Sequence, residues 1–341
     1  MTSATNRRVV VSKRGGPEVL RIIEETVPVP QRDEVRIKVA AAGISAYDAM
    51  VRSLKLPGNP KPPFTPGEDV VGTVDAVGTD VMFPAPGMRV AAWTYGSGGG
   101  YAENVCVPAR HAVPVPGGID DAQAVAAVIN YLTAHLYLHK TAQARSGESA
   151  LVHGAAGGLG SALLELGSLA GLELFATASA HNHELIRSLG ATPIDYRNED
   201  FVAAIRRMRG DGVDMVFDPI GGWKQLRRCT RVLRPGGRLI ALGSVGTEKA
   251  GFISIPLGLA ALVMAKLTPG KSAPLKPNMM KYPSEHEDWY RDTLTEILDY
   301  VAAGKLQPVV AGRFPLTDAV AAHQALDSGG HAGKLVLVTD H

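Results

Sequence analysis

The feature that most constrains this chain is the run Leu151-Val152-His153-Gly154-Ala155-Ala156-Gly157-Gly158-Leu159-Gly160. A short apolar stretch, residues 149–153, leads into it, and residues 161–170 follow with a helix-like apolar pattern. Strand, glycine turn and helix in immediate succession is the context in which such a pattern binds the pyrophosphate of a dinucleotide. Ala155 stands where the usual pattern has its first glycine. Gly157 is expected to let the backbone approach the pyrophosphate, and Gly160 to let helix and strand pack closely. Ala156, Gly157, Gly158, Leu159 and Gly160 are therefore assigned to the cofactor, with the helix N-terminus offering N–H groups and partial positive charge.

The surroundings repeat the same unit. Residues 173–178 read as a strand, 183–189 as a helix, 193–196 as a strand and 201–208 as a helix. Residues 213–218, 226–233 and 238–242 continue the alternation, which implies a doubly wound parallel sheet. The chain before residue 120 differs. Residues 35–40 alternate charged and apolar, and Gly67, Gly72, Gly78 and Gly87 punctuate short valine-rich runs, the texture of a β-rich block. Asp120 and Asp121 are placed to cap a long helix running toward Gln143. The tail carries a helix over 288–303, a strand at 308–310, a helix over 318–327 and a strand over 334–338. The fold class is α/β, a β-rich domain plus a Rossmann-like doubly wound domain. The simplest packing returns the tail to the first block, giving one domain from 1–123 and 304–341 and another from 124–303.

Composition narrows the function. Thirty-five basic against 33 acidic residues leave a formal charge of +2, with no basic block to suggest nucleic acid. Residues 1–8 are polar and unlike a secretory signal, and the most apolar run, 251–267, is interrupted by Pro256 and Lys266. It falls short of a membrane span. Two cysteines, Cys106 and Cys229, fit a reducing compartment, and a cytoplasmic location is expected. The apolar run could roof a lipophilic pocket, form a dimer face or be ordinary core.

The nucleotide can be read one step further. NAD-selective sites place Asp or Glu about 20 residues past the glycines, where it holds the ribose hydroxyls. Here Thr177-Ala178-Ser179-Ala180-His181-Asn182-His183 carries no carboxylate before Glu184, and Arg187 lies close by. Such a site tolerates a 2′-phosphate, so NADPH is the expected cofactor.

At this point a family resemblance enters. Gly43-Ile44-Ser45-Ala46-Tyr47-Asp48, Pro66-Gly67-Glu68-Asp69-Val70-Val71-Gly72 and the glycine loop itself are similar to signatures of the medium-chain dehydrogenase/reductase superfamily. The resemblance is to its zinc-independent quinone oxidoreductases (zeta-crystallin-like) and enoyl reductases. Gly98-Gly99-Gly100-Tyr101-Ala102-Glu103, Asn130-Tyr131-Leu132-Thr133-Ala134, Leu233-Arg234-Pro235-Gly236-Gly237-Arg238 and His331-Ala332-Gly333-Lys334-Leu335-Val336 extend it over nearly the whole chain. It implies a GroES-like catalytic domain beside a Rossmann domain, a homodimer, and hydride transfer from NADPH to a quinone or a conjugated carbonyl. It also implies that Tyr196 stacks near the adenine or 2′-phosphate, and that Ser179 and His183 fall near the phosphate contacts. Gly243 and Ser244 would approach the nicotinamide, and Thr133 the phosphates or ribose.

Zinc-dependent relatives need three or four protein ligands. They carry Cys near Gly43 and a histidine after Gly67, where this chain has Ser45-Ala46 and Glu68, and no four-cysteine lobe is present. No metal is expected. Reduction of a conjugated carbonyl then needs hydrogen-bond donors for the developing enolate and a proton for the α-carbon. The tyrosine that some members place a few residues after Arg52-Ser53 is replaced by Leu54-Lys55-Leu56. Tyr47, Ser45, Tyr131 and Lys55 are the remaining candidates, with solvent as an alternative proton source. A biosynthetic tailoring reductase, or a binding protein with little turnover, shares the same motifs.

Overall fold

The computed structural model describes residues 5–54, 59–94, 98–242, 271–274, 279 and 281–339. The chain forms two compact units, Met1–Leu132 with Met279–His341, and Thr133–Asn278.

In the first unit, β1 (Thr5–Val11) and β2 (Leu20–Thr26) form an antiparallel pair. A larger sheet is built from β3 (Glu34–Ile44), β4 (Asp69–Val77), β5 (Arg89–Trp93), β6 (Asn104–Pro108) and β7 (Ala112–Pro114). The tail adds β14 (Val310–Pro315) and β15 (Lys334–Val338), giving the order β14-β15-β3-β4-β5-β7, with β6 also on β3. The alternation seen at residues 35–40 has its physical basis here: Val35, Ile37 and Val39 are fully buried while Lys38 faces solvent. The final strand does return to the first block, with Leu335 opposite Ile44 and Val338 opposite Ala41. The strand expected at 308–310 lies slightly later, because its ladder partner β15 sets its register from Val310 to Pro315.

The helices of this unit include α1 (Ala46–Ser53), α7 (Glu287–Ala302) and α8 (Ala319–Ser328). The sequence alternation groups α7 with the nucleotide block, yet its contacts are with β5 and β7. Buried Tyr290 accepts from the Trp93 backbone N–H at 3.1 Å and donates to the His111 carbonyl at 2.8 Å. A phenol satisfying two buried backbone groups fixes where that helix packs.

In the second unit, β8 (Ser149–Val152), β9 (Glu173–Ala178), β10 (Ala191–Asp195), β11 (Val213–Asp218), β12 (Leu233–Ala241) and β13 (Lys271–Ser272) lie in the order β10-β9-β8-β11-β12-β13. Every pairing is parallel. Between strands run α3 (Gly158–Leu169), α4 (His183–Ser188), α5 (Phe201–Met208) and α6 (Trp223–Val232). Counted from β8 this is the 3-2-1-4-5-6 order of a dinucleotide-binding sheet, and the order in which strands are added reverses between β8 and β11. The glycine run emerges from β8 at that switch point. The helix expected from Asp120 to about Gln143 is α2 (Asp121–His135), which passes into a π-helical turn over Leu136–Thr141. Asp120 Oδ2 accepts from the Gln123 N–H, so the capping role read from the sequence is present.

Candidate functional site

The loop after β8 is shaped by two glycines with different duties. A Cβ on Gly160 would stand 2.4 Å from the Gly154 carbonyl oxygen and 2.6 Å from Ala155 Cα, so only glycine lets α3 pack this tightly on its own loop. Gly157 is the N-cap, with φ −72° and ψ 169°, a conformation open to any residue. A Cβ there meets only the Gly154 oxygen, at 3.4 Å. Nothing among the described residues demands glycine at 157, and the space it leaves lies over the first turn of α3, which none of their side chains caps. An uncapped helix N-terminus with a bare backbone approach is a cradle that an anionic group fits. Ala156 is buried, whereas Gly157, Gly158 and Leu159 are partly open.

The neighbouring strand ends carry the other residues picked out from the sequence. β10 pairs with β9 so that Asp195 lies beside Ala178, which brings Ser179 and Tyr196 to adjacent strand ends. Ser179 is 6% exposed, its hydroxyl 3.4 Å from His181 Nε2, and His183 opens α4. Tyr196 presents an exposed ring, with the Arg197 guanidinium 5.9 Å from its centroid. Asp195 faces this edge, but its carboxylate accepts from the Arg197 N–H and the Asn198 amide, bonds that hold its pKa below the usual carboxylate range. Thr133 is buried in α2. Gly243, Ser244 and the apolar run 251–267 lie outside the described residues.

In the first unit, Ser45 caps α1. Its Oγ accepts from the Asp48 N–H at 3.2 Å while Asp48 Oδ2 accepts from the Ser45 N–H at 2.8 Å, a reciprocal capping box, and the Ser45 hydroxyl also donates to Oδ2 at 2.6 Å. Asp48 is fully buried and also accepts from the Gly67 N–H at 2.9 Å, tying the helix start to the Pro66-Gly67-Glu68 turn. Tyr47 projects from this first turn. With Phe64, Thr65, Pro66, Glu68 and Gly98 it lines one recess of the unit. Burial, then the carboxylates of Glu68 and Asp48, push its phenol pKa upward, so the hydroxyl stays protonated at neutral pH. Tyr131 is buried in α2, and Lys55 lies outside the described residues. In the sequence Glu68 stands where zinc-dependent relatives have a histidine, and with Asp69 it reads as a pair that could bind a cation or serve as a solvated or backbone-capping pair; both are buried. The position of Glu68 in the recess beside Tyr47 was hidden because the Asp48–Gly67 bond that brings the two segments together spans 19 residues.

The polar groups around Ser45 are already bonded to one another. Ser45 Oγ is engaged in the cap, and Thr94 Oγ1 lies 3.4 Å from Glu68 Oε2. Among the described residues, metal-ligating side chains converge in one place only, and that is in the second unit. No helix of the described residues is long and apolar enough to cross a membrane.

A GroES-type sheet in one unit and a switch-point glycine loop in a parallel sheet in the other define a medium-chain dehydrogenase/reductase. Comparison with known proteins agrees. Residues 31–117 match the family model "Alcohol dehydrogenase GroES-like domain", and 189–337 match "Zinc-binding dehydrogenase". Rat quinone oxidoreductase is 33% identical over 338 residues, covering 97% of each chain. The crystal structure of human synaptic vesicle membrane protein VAT-1 homolog-like protein superposes with a TM-score of 0.85 at 29% identity, covering 99% of both chains. Escherichia coli quinone oxidoreductase, solved in complex with NADPH, gives a TM-score of 0.85 at 26% identity, covering 98% of this chain and 100% of that one. The chain belongs to the quinone oxidoreductase group of this superfamily and is an oxidoreductase.

Proposed function

We propose that this protein oxidises NADPH and reduces a quinone or a carbon–carbon double bond conjugated to a carbonyl, with no metal at the reacting centre. The observation that carries this is the open glycine cradle at the switch point beside a β9 end that offers Ser179 and His183 in place of a carboxylate. The E. coli relative solved with NADPH supports the same choice of nucleotide. When bound, NADPH supplies the hydride. Ala156 to Gly160 hold the pyrophosphate through backbone N–H groups, and Ser179, His183 and Tyr196 take the 2′-phosphate and adenine end. Thr133 serves the phosphates or ribose, and Gly243 with Ser244 the nicotinamide side.

The first unit deals with the charge that reduction places on the acceptor oxygen. Of the three candidate hydroxyls, Tyr47 lines the recess, Ser45 is held by Asp48, and Tyr131 is buried in its helix. A phenol kept neutral by burial donates a hydrogen bond to a developing enolate or hydroquinone oxygen, the role a metal would fill in zinc-dependent relatives. Ser45 and Asp48 hold Tyr47 at the start of α1.

Calorimetric titration tests the nucleotide assignment. The protein should bind NADPH more tightly than NADH. Ser179→Asp should reverse that preference by about tenfold or more, about 1.4 kcal/mol, through repulsion of the 2′-phosphate. An unchanged preference in the variant would place the phosphate contacts elsewhere.

A further inference from the structure

We propose a second site in the nucleotide-binding unit: His153, Asp218 and Cys229 form a structural binding site for a zinc-type divalent cation. His153 is distant in sequence from the other two, and each of the three is essentially buried. His153 follows β8, Asp218 ends β11, and Cys229 lies on α6. One ligand atom from each lies within 4.8 Å of the others. The site is separate from the Ser45 and Glu68 positions, which belong to the other unit.

The donor chemistry selects the ion. Thiolate, imidazole and carboxylate together suit zinc or cobalt(II), whereas magnesium and calcium want oxygen alone. Zn–S and Zn–N bonds of about 2.3 and about 2.05 Å at a tetrahedral angle place sulfur and nitrogen about 3.6 Å apart. Cys229 Sγ is 3.5 Å from His153 Nε2. The outer contacts orient the ligands as metal sites require. His153 Nδ1 is 2.8 Å from Thr177 Oγ1, which can accept its N–H and leave the Nε2 lone pair facing Cys229. Asp218 Oδ2 accepts from the Gly221 N–H at 2.7 Å, and Oδ1 from Gln225 Nε2 at 3.1 Å. The Gln225 amide nitrogen also lies 3.7 Å from Cys229 Sγ, and rotating the amide by half a turn would exchange its bond to Asp218 for its oxygen as a fourth ligand. On binding, the Cys229 thiol proton passes to solvent.

An ion here joins the ends of β8 and β11 to α6 on both sides of the switch point. His153 directly precedes Gly154, so the same ion fixes the root of the glycine loop. Its role is to clamp the fold, and it takes no part in hydride transfer.

The test is cobalt(II) added to metal-free, reduced full-length protein, both native and during refolding. The expected result is tetrahedral visible bands with a thiolate-to-cobalt charge-transfer band, saturating at equimolar cobalt. Cys106→Ser should keep the band and Cys229→Ser should lose it, since these are the only two thiols. His153→Gln should weaken cobalt binding about tenfold or more. Zinc should raise the Tm of the parent but not of Asp218→Asn. No charge-transfer band under either condition overturns the site, as does a band that Cys106→Ser removes. If Cys229→Ser fails to fold, the Cys106→Ser spectrum still decides the question.

Discussion

At the scale of single residues, the two glycines of the loop separate folding from binding. Gly157→Val should leave the Tm nearly unchanged, because its backbone is extended and its Cβ meets one atom at 3.4 Å, while NADPH affinity falls by tenfold or more, about 1.4 kcal/mol. Gly160→Val should instead destabilise the whole unit by about 3 kcal/mol or more, since its Cβ would overlap backbone at 2.4 Å. Thermal melts and nucleotide titrations of both variants check this, and equal effects on stability would remove the distinction. Tyr47→Phe should lower kcat by about tenfold to a hundredfold and leave the NADPH Kd within about twofold. An unchanged kcat would exclude Tyr47 as the donor. Because burial raises its phenol pKa, any loss of activity through Tyr47 ionisation should come at a higher pH than a free phenol would give, which a pH–rate profile of the parent checks.

At the scale of elements, one network pins the helix that carries Tyr47. Arg52 on α1 donates to His323 Nδ1 on α8 at 2.8 Å and to Asp327 at 2.7 Å, and Tyr101 Oη lies 3.2 Å from His323 Nε2. Burial, then the Arg52 charge, lowers the His323 pKa to about 3. The unfolded chain takes up that proton below about pH 6.5 and the folded chain does not, so the unfolded state binds more protons between these values. Stability is therefore fully present above about pH 6.5 and falls as pH drops, by up to about 1.4 kcal/mol per pH unit from this group. Urea melts from pH 7 to 4 should show this, and His323→Asn should flatten the slope; a parallel slope in the variant would assign acid sensitivity elsewhere. The network was not legible beforehand, because Arg52 and His323 are 271 residues apart and nothing local marks either as buried. What could be read were features set by local geometry. The last strand, Lys334–Val338, was legible as a short apolar run, and β3 as an alternation whose apolar face fills the core.

At the scale of the whole molecule, the order of texture along the chain carried most of the architecture: a β-rich block, strand–helix repeats, and a returning strand. The switch point followed from the glycine loop because strand order and cofactor position are linked in this sheet type. Packing decisions between distant segments were hidden. Helix α7 sits with the first unit because Tyr290 bonds to Trp93 and His111, which no periodicity reveals. Lys334 pairs with Asp69 at 2.9 Å in the interior, in space that Gly43 leaves by lacking a side chain. Two charges buried together are readable only once β15 lies beside β3.

The central claim is metal-free reduction by NADPH, and steady-state oxidation of NADPH against quinones, enones and enoyl thioesters in the presence of a chelator tests it most directly. The account predicts turnover with at least one acceptor class, faster with NADPH than with NADH and undiminished by chelation. It is contradicted if no acceptor is reduced, or if added zinc is required for turnover in a Cys229→Ser background.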